Sequence, residues 1–98
     1  MEPFNETVTG VGLREFRAAL GLSQNDLATL LDVGQSTINK WERDLVPAPD
    51  RLRAELWNIY LDFVDDVREL RAGRPIRSDA PWRAAALFWA TRRELALD

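Results

Sequence analysis

GLSQNDLATLLDVGQSTINKWE, residues 21–42, contains two short apolar-periodic segments separated by a three-residue break. In the first, Leu27, Ala28, Leu30 and Leu31 supply the apolar side. In the second, Ile38 and Trp41, continued by Leu45, repeat at intervals of three and four, which predicts a helix over 35–44. Ser23 can cap the first segment, with Asp26 three residues later in a box-like pattern. The break itself makes specific demands. Ala28 faces the second helix, where a larger side chain would push the pair apart. Asp32 sits where the turn needs a left-handed backbone, which Asp accepts better than most non-glycine residues. Val33 and Ile38 plug the angle between the helices. Two short helices joined in this way form a helix-turn-helix pattern.

Working outward, Leu13, Phe16 and Leu20 recur at helical spacing over 11–20, and Gly21 fits as a left-handed stop. Residues 1–9 are polar and aperiodic and are expected to form a loose arm. Pro47 and Pro49 end the motif, so the domain is expected to cover 10–49. Asp50 opens a long amphipathic segment, with Leu52, Leu56, Ile59, Phe63 and Leu70 on one stripe and Tyr60, Val64 and Val67 broadening it. Gly73 and Pro75 terminate it. Ser78 or Asp79 is expected to cap a last helix with Pro81 in its first turn and Trp82, Ala85, Ala86 and Trp89 along one side. No segment alternates as a strand does and no repeat occurs, so the predicted class is all-α.

Composition narrows the function. The 98 residues allow one domain, or one small domain plus an appendage. Without cysteine or histidine there is no disulfide framework, thiolate zinc site, His base or Cys nucleophile. Asp65 and Asp66 are neighbours on a helix, so their side chains diverge, and no Gly-rich phosphate loop is present. We therefore expect no catalytic set, cofactor or metal. No apolar run approaches the roughly 20 residues of a membrane span and no secretory signal opens the chain, so a cytoplasmic protein is expected. The net charge of −3 is not that of an obvious nucleic-acid binder.

The run from Gly21 to Glu42 resembles the Cro/repressor-type (Xre-like) helix-turn-helix family through Ser23-Gln24, Leu27-Ala28, Leu31, Val33, Thr37-Ile38 and Trp41-Glu42. Gly34-Gln35-Ser36 resembles the start of the phage lambda repressor recognition helix. Two positions depart from the family pattern: the usual turn glycine is Asp32, and the usual capping Ser or Thr is Gly34. The resemblance implies a lambda-repressor-like fold and a partner, double-stranded DNA, whose major groove takes the second helix. It places Gln35, Ser36, Asn39 and Lys40 against base edges. Gln and Asn suit adenine, and Lys suits guanine. It places Ser23, Gln24, Thr37 and Arg43 against phosphates, and pairs Arg17 with Glu42 inside the domain. Plainer readings stay open. Gln24 also reads as a helix-start residue, Thr37 as a helix-internal hydroxyl, and Lys40 and Arg43 as solvated charges. Trp41 reads as core.

WERDLVPAPDRLRAEL, with the long helix and Trp-bearing last helix behind it, is similar to anti-CRISPR-associated phage repressors and related bacterial regulators. Residues 50–98 are accordingly expected to be a dimerisation region, with Tyr60, Phe63, Val67, Leu70, Trp82, Ala86, Phe88 and Trp89 at the interface of a homodimer. Packing of both helices onto the motif within one monomer is the plainer alternative. The reading is thus a dimeric repressor on an inverted-repeat operator. The competing reading is an interaction module, such as an antitoxin or regulator cofactor, whose last helices bind a different protein. Arg68, Arg71, Arg74 and Arg77 read either as a solvated helix end that complements the macrodipole or as a supplementary contact to DNA or an acidic partner. Residues 1–49 hold 4 basic and 7 acidic side chains, and residues 50–98 hold 9 of each. The acid excess therefore lies in the half expected to bind DNA, which implies few neutralised phosphates and a shallow salt dependence.

Overall fold

The computed structural model describes residues 8–92. Five helices follow in order: α1 (Gly10–Ala19), α2 (Gln24–Leu31), α3 (Gln35–Glu42), α4 (Arg51–Arg71) and α5 (Arg83–Ala90). The described residues contain no strand, so the fold is all-α, with the expected helix-turn-helix formed by α2 and α3. No helix among them is long and apolar enough to cross a membrane.

Local chemistry sets the helix ends. Ser23 Oγ accepts the Asp26 N–H at 3.0 Å while Asp26 Oδ2 accepts the Ser23 N–H at 2.9 Å, a reciprocal capping box at the start of α2. Asp32 takes the left-handed conformation at φ 56°, and the Val33 N–H returns to the Ala28 carbonyl at 3.0 Å. Gly21, at φ 67°, closes α1 in the same way, with the Leu22 N–H on the Arg17 carbonyl at 2.9 Å. The positive φ is what favours glycine here, since a Cβ would meet the Ala85 methyl only at ordinary contact distance.

Four expectations are corrected. The arm is shorter than nine residues within the described part: Val8 is buried in the core and Thr9 caps α1 through Gly12 N–H at 3.0 Å, while residues 1–7 lie outside the described residues. The recognition helix stops at Glu42 rather than Asp44. Asp44 is itself left-handed at φ 56°, its N–H bonding the Trp41 carbonyl and that of Leu45 the Lys40 carbonyl, so Leu45 leaves the helical face and is 60% exposed. The last helix starts at Arg83, with Trp82 at its cap and no side-chain cap. Pro81 disfavours helical backbone at Ala80, so residues 78–82 form turns instead.

The fourth correction concerns the second half. Of the eight residues expected at a dimer surface, Phe63, Val67, Trp82 and Ala86 are buried inside the chain itself. The helix α5 folds back onto the distal part of α4. There Trp82 Nε1 donates to Asp66 Oδ2 at 2.8 Å, and Arg71 donates to the Trp89 carbonyl at 3.1 Å. Trp89 Nε1 reaches the Ala19 carbonyl at 3.4 Å, tying α5 to the end of α1. Burial of each such side chain is worth about 1.5–3 kcal/mol, which is why the hairpin closes on itself. One apolar cluster runs from Val8 to Ala86 with no gap at the expected boundary near residue 49, since Leu52 and Leu56 belong to it.

Candidate nucleic-acid interface

The face of α3 is divided by helical spacing. Ile38 and Trp41 are buried, while Gln35, Ser36 and Lys40 are exposed and Asn39 and Thr37 are half-buried. Among the described residues, none of the side chains of Gln35, Ser36, Asn39, Lys40 and Arg43 has a hydrogen-bond or ion-pair partner. This row therefore offers amide, hydroxyl and ammonium groups with nothing among the described residues to hold them. Arg43 follows α3 directly, at its C-cap, and is also exposed.

Behind this row lies a polar knot. Glu42 is 3% exposed, a position where a lone carboxylate would be costly. Arg17, from α1, meets it with two bonds, Nε to Oε2 at 2.8 Å and Nη2 to Oε1 at 3.1 Å. Arg17 also donates to the Leu22 carbonyl at 3.0 Å. Burial alone would push the Glu42 carboxyl up. The hydrogen bonds from Arg17 and Gln24, with the charges of Arg17 and Arg14, outweigh it, so the carboxyl lies below the ordinary glutamate range. The bond to Glu42 also raises Arg17 above its ordinary value, against desolvation.

Ser23 and Gln24 are placed differently from Lys40 and Arg43. The Gln24 amide turns inward and donates to Glu42 Oε1 at 3.1 Å, so one of its two side-chain N–H groups is in use within the protein. Ser23 spends its backbone N–H on Asp26 and keeps its hydroxyl proton. Gln24 keeps its backbone N–H, in the first turn of α2.

A second fastening was not anticipated from the sequence. The Gly10 N–H donates to Asp44 Oδ1 at 3.0 Å, and a Cβ at Gly10 would lie 2.3 Å from the Glu42 carbonyl oxygen. The first turn of α1 therefore presses directly against the end of α3, an approach only glycine permits. The available signal was a second Asp just past a helical pattern, parallel to Asp32.

Two short helices at a tight, left-handed turn, with an outward polar row on the second, make up the architecture of a DNA-reading helix-turn-helix. Residues 13–56 match the helix-turn-helix family model. The chain thus carries a helix-turn-helix domain of the Cro/repressor (Xre-like) type, the domain of DNA-binding transcription regulators. No curated protein and no solved structure matches the chain.

Proposed function

We propose that the protein is a sequence-specific repressor that binds an inverted-repeat operator as a homodimer, at the nucleoid. The observation that carries this reading is the unpartnered row on α3. Gln35, Ser36, Asn39 and Lys40 read base edges. Arg43 and Thr37, with the Ser23 hydroxyl and the Gln24 backbone N–H, hold phosphates. Few cations stand on this face, so affinity rests on base contacts and on dimerisation, and salt dependence is shallow. Occupation of the promoter by the dimer excludes polymerase.

With half of the expected interface buried inside the chain, the dimer surface narrows to Phe88, which is 48% exposed, and the half-buried Tyr60, Leu70 and Trp89. Exposed Leu87 and Leu61 extend it. Selection of bound sites from random duplexes tests both parts. Two half-sites related by a dyad, about 34 Å or a multiple apart, support the dimeric reading. A lone half-site, together with a monomer in light scattering, overturns it and favours a different protein as partner of the α5 face.

A further inference from the structure

Arg14 has no assigned role and no hydrogen-bond or ion-pair partner among the described residues, and its side chain is exposed. Its position is nevertheless tightly determined. Gly10, four residues before it, is fastened to Asp44, and Arg17, three residues after it, is fastened to Glu42. Residues spaced by four and three share one face of a helix. Arg14 therefore lies on the face of α1 that borders the end of α3, between its two fastenings. Its charge is felt by Glu42 there. Helical side chains lean toward the N-terminus of their own helix, so Arg14 leans toward the Gly10–Asp44 contact, the same end of α3 from which Arg43 projects.

We propose that Arg14 is a further phosphate-contacting residue, acting with Arg43 as a pair of cations that grips one DNA strand at the C-terminal end of α3. The proposal rests on the reading of α3 as the major-groove helix. The electrostatics of this end call for such a pair. The C-terminus of a helix presents partial negative charge, which repels phosphate. Asp44 adds a carboxylate, and Glu15 adds another on the neighbouring position of α1. Glu42 contributes little net charge because Arg17 neutralises it. A phosphate approaching this end is held only if uncompensated cations outnumber these terms locally. Arg14, Arg43 and Lys40 of the last turn of α3 are the groups available for that.

The test compares the full chain with Arg14→Gln and Arg14→Lys variants, titrated by fluorescence anisotropy onto the selected operator and onto a scrambled duplex across a salt series. Arg14→Gln is expected to weaken both duplexes alike, by up to about tenfold, and to lower the log–log salt slope by about 1 per bound protomer. Arg14→Lys is expected to restore the slope, with the thermal midpoint unchanged in both variants. An unchanged slope in Arg14→Gln overturns the proposal, as does a loss that Lys fails to restore. Failure of the underlying reading looks different. In that case Gln35→Ala leaves the preference for operator over scrambled duplex intact, whatever Arg14 does.

Discussion

The end of α3 and the α4–α5 hairpin both carry arginines, and the two regions use them in opposite ways. In the hairpin most of the cations face partners within the protein, exposed Arg83 at the start of α5 being an exception among the described residues. Arg51 pairs with Glu55 at 3.1 Å, Arg68 lies 3.8 Å from Asp65, and Arg77 lies 4.0 Å from Asp79. Arg74 is bonded to Glu69, and Arg71 donates to the carbonyls of Trp89 and Arg92. Around α3, by contrast, Arg17 is the cation turned inward, while Lys40, Arg43 and Arg14 have no pairing partner among the described residues. In the half richer in arginine, most of the described guanidinium groups therefore already face a carboxylate or a carbonyl, although through exposed pairs. Counting basic residues does not by itself rank the two regions, because a cation already facing a carboxylate gains less when it meets a polyanion.

Several variants would sharpen or break this contrast. The largest effect is expected from Phe63→Ala in the hairpin. Phe63 is 2% exposed, and its truncation should cost about 3–5 kcal/mol in urea unfolding. That loss should be independent of protein concentration. If Phe63→Ala instead dissociated the protein to monomers in light scattering while Phe88→Ala did not, the hairpin would close between chains rather than within one.

Next is Arg17→Ala, which leaves buried Glu42 with the Gln24 hydrogen bond and the charge of Arg14 for support and should destabilise by about 3 kcal/mol. The same pair sets the acid response. Glu42 titrates below its ordinary value in the folded protein, so its contribution is fully present above about pH 4.3 and is lost as pH falls through the lower folded value. Glu42→Gln should flatten this acid limb of stability, measured by circular dichroism across pH. An unaltered limb would mean that other carboxylates govern it.

Gln35→Ala is expected to cost about 1–3 kcal/mol on the operator and to relax preference at one base pair without changing stability. Equal losses on operator and scrambled DNA would remove Gln35 from base reading. The smallest effects separate the two arginine sets. Arg43→Ala should reduce the salt slope by about 1 per protomer, whereas Arg74→Ala should leave it unchanged. A matching drop for Arg74 would show that the hairpin cations also meet DNA and would erase the contrast.

Much of the motif was legible in sequence because its determinants are local. The Ser23–Asp26 box, the left-handed Asp32, the Gly21 stop and the alternation of buried Ile38 and Trp41 with outward Gln35 and Lys40 all follow from spacing within one or two turns. Asp44 shows the limit. Its parallel with Asp32 was the one local signal, and helical spacing alone let the helix run through it; its left-handed turn is supported by Gly10, 34 residues away. The last helix shows a second limit: Pro81 is tolerated in a helix's first turn, yet here it lies in the turns that precede α5. The apolar stripe of α4 was visible, but which helix would cover it was not, since Trp82 and Ala86 present the same hydrophobic signal to α4 or to a second chain.

By itself, then, the sequence determined the all-α class, the helix-turn-helix and its outward polar row, because capping, turn conformation and helical period act over a few residues. Tertiary structure alone decided that α5 closes on α4, that the Gln24 amide faces Glu42, that Gly10 and Asp44 join α1 to the end of α3, and which arginines remain unpaired. These outcomes turn on competition among partners distant in sequence, in which burial and charge pairing are settled only once the helices pack together.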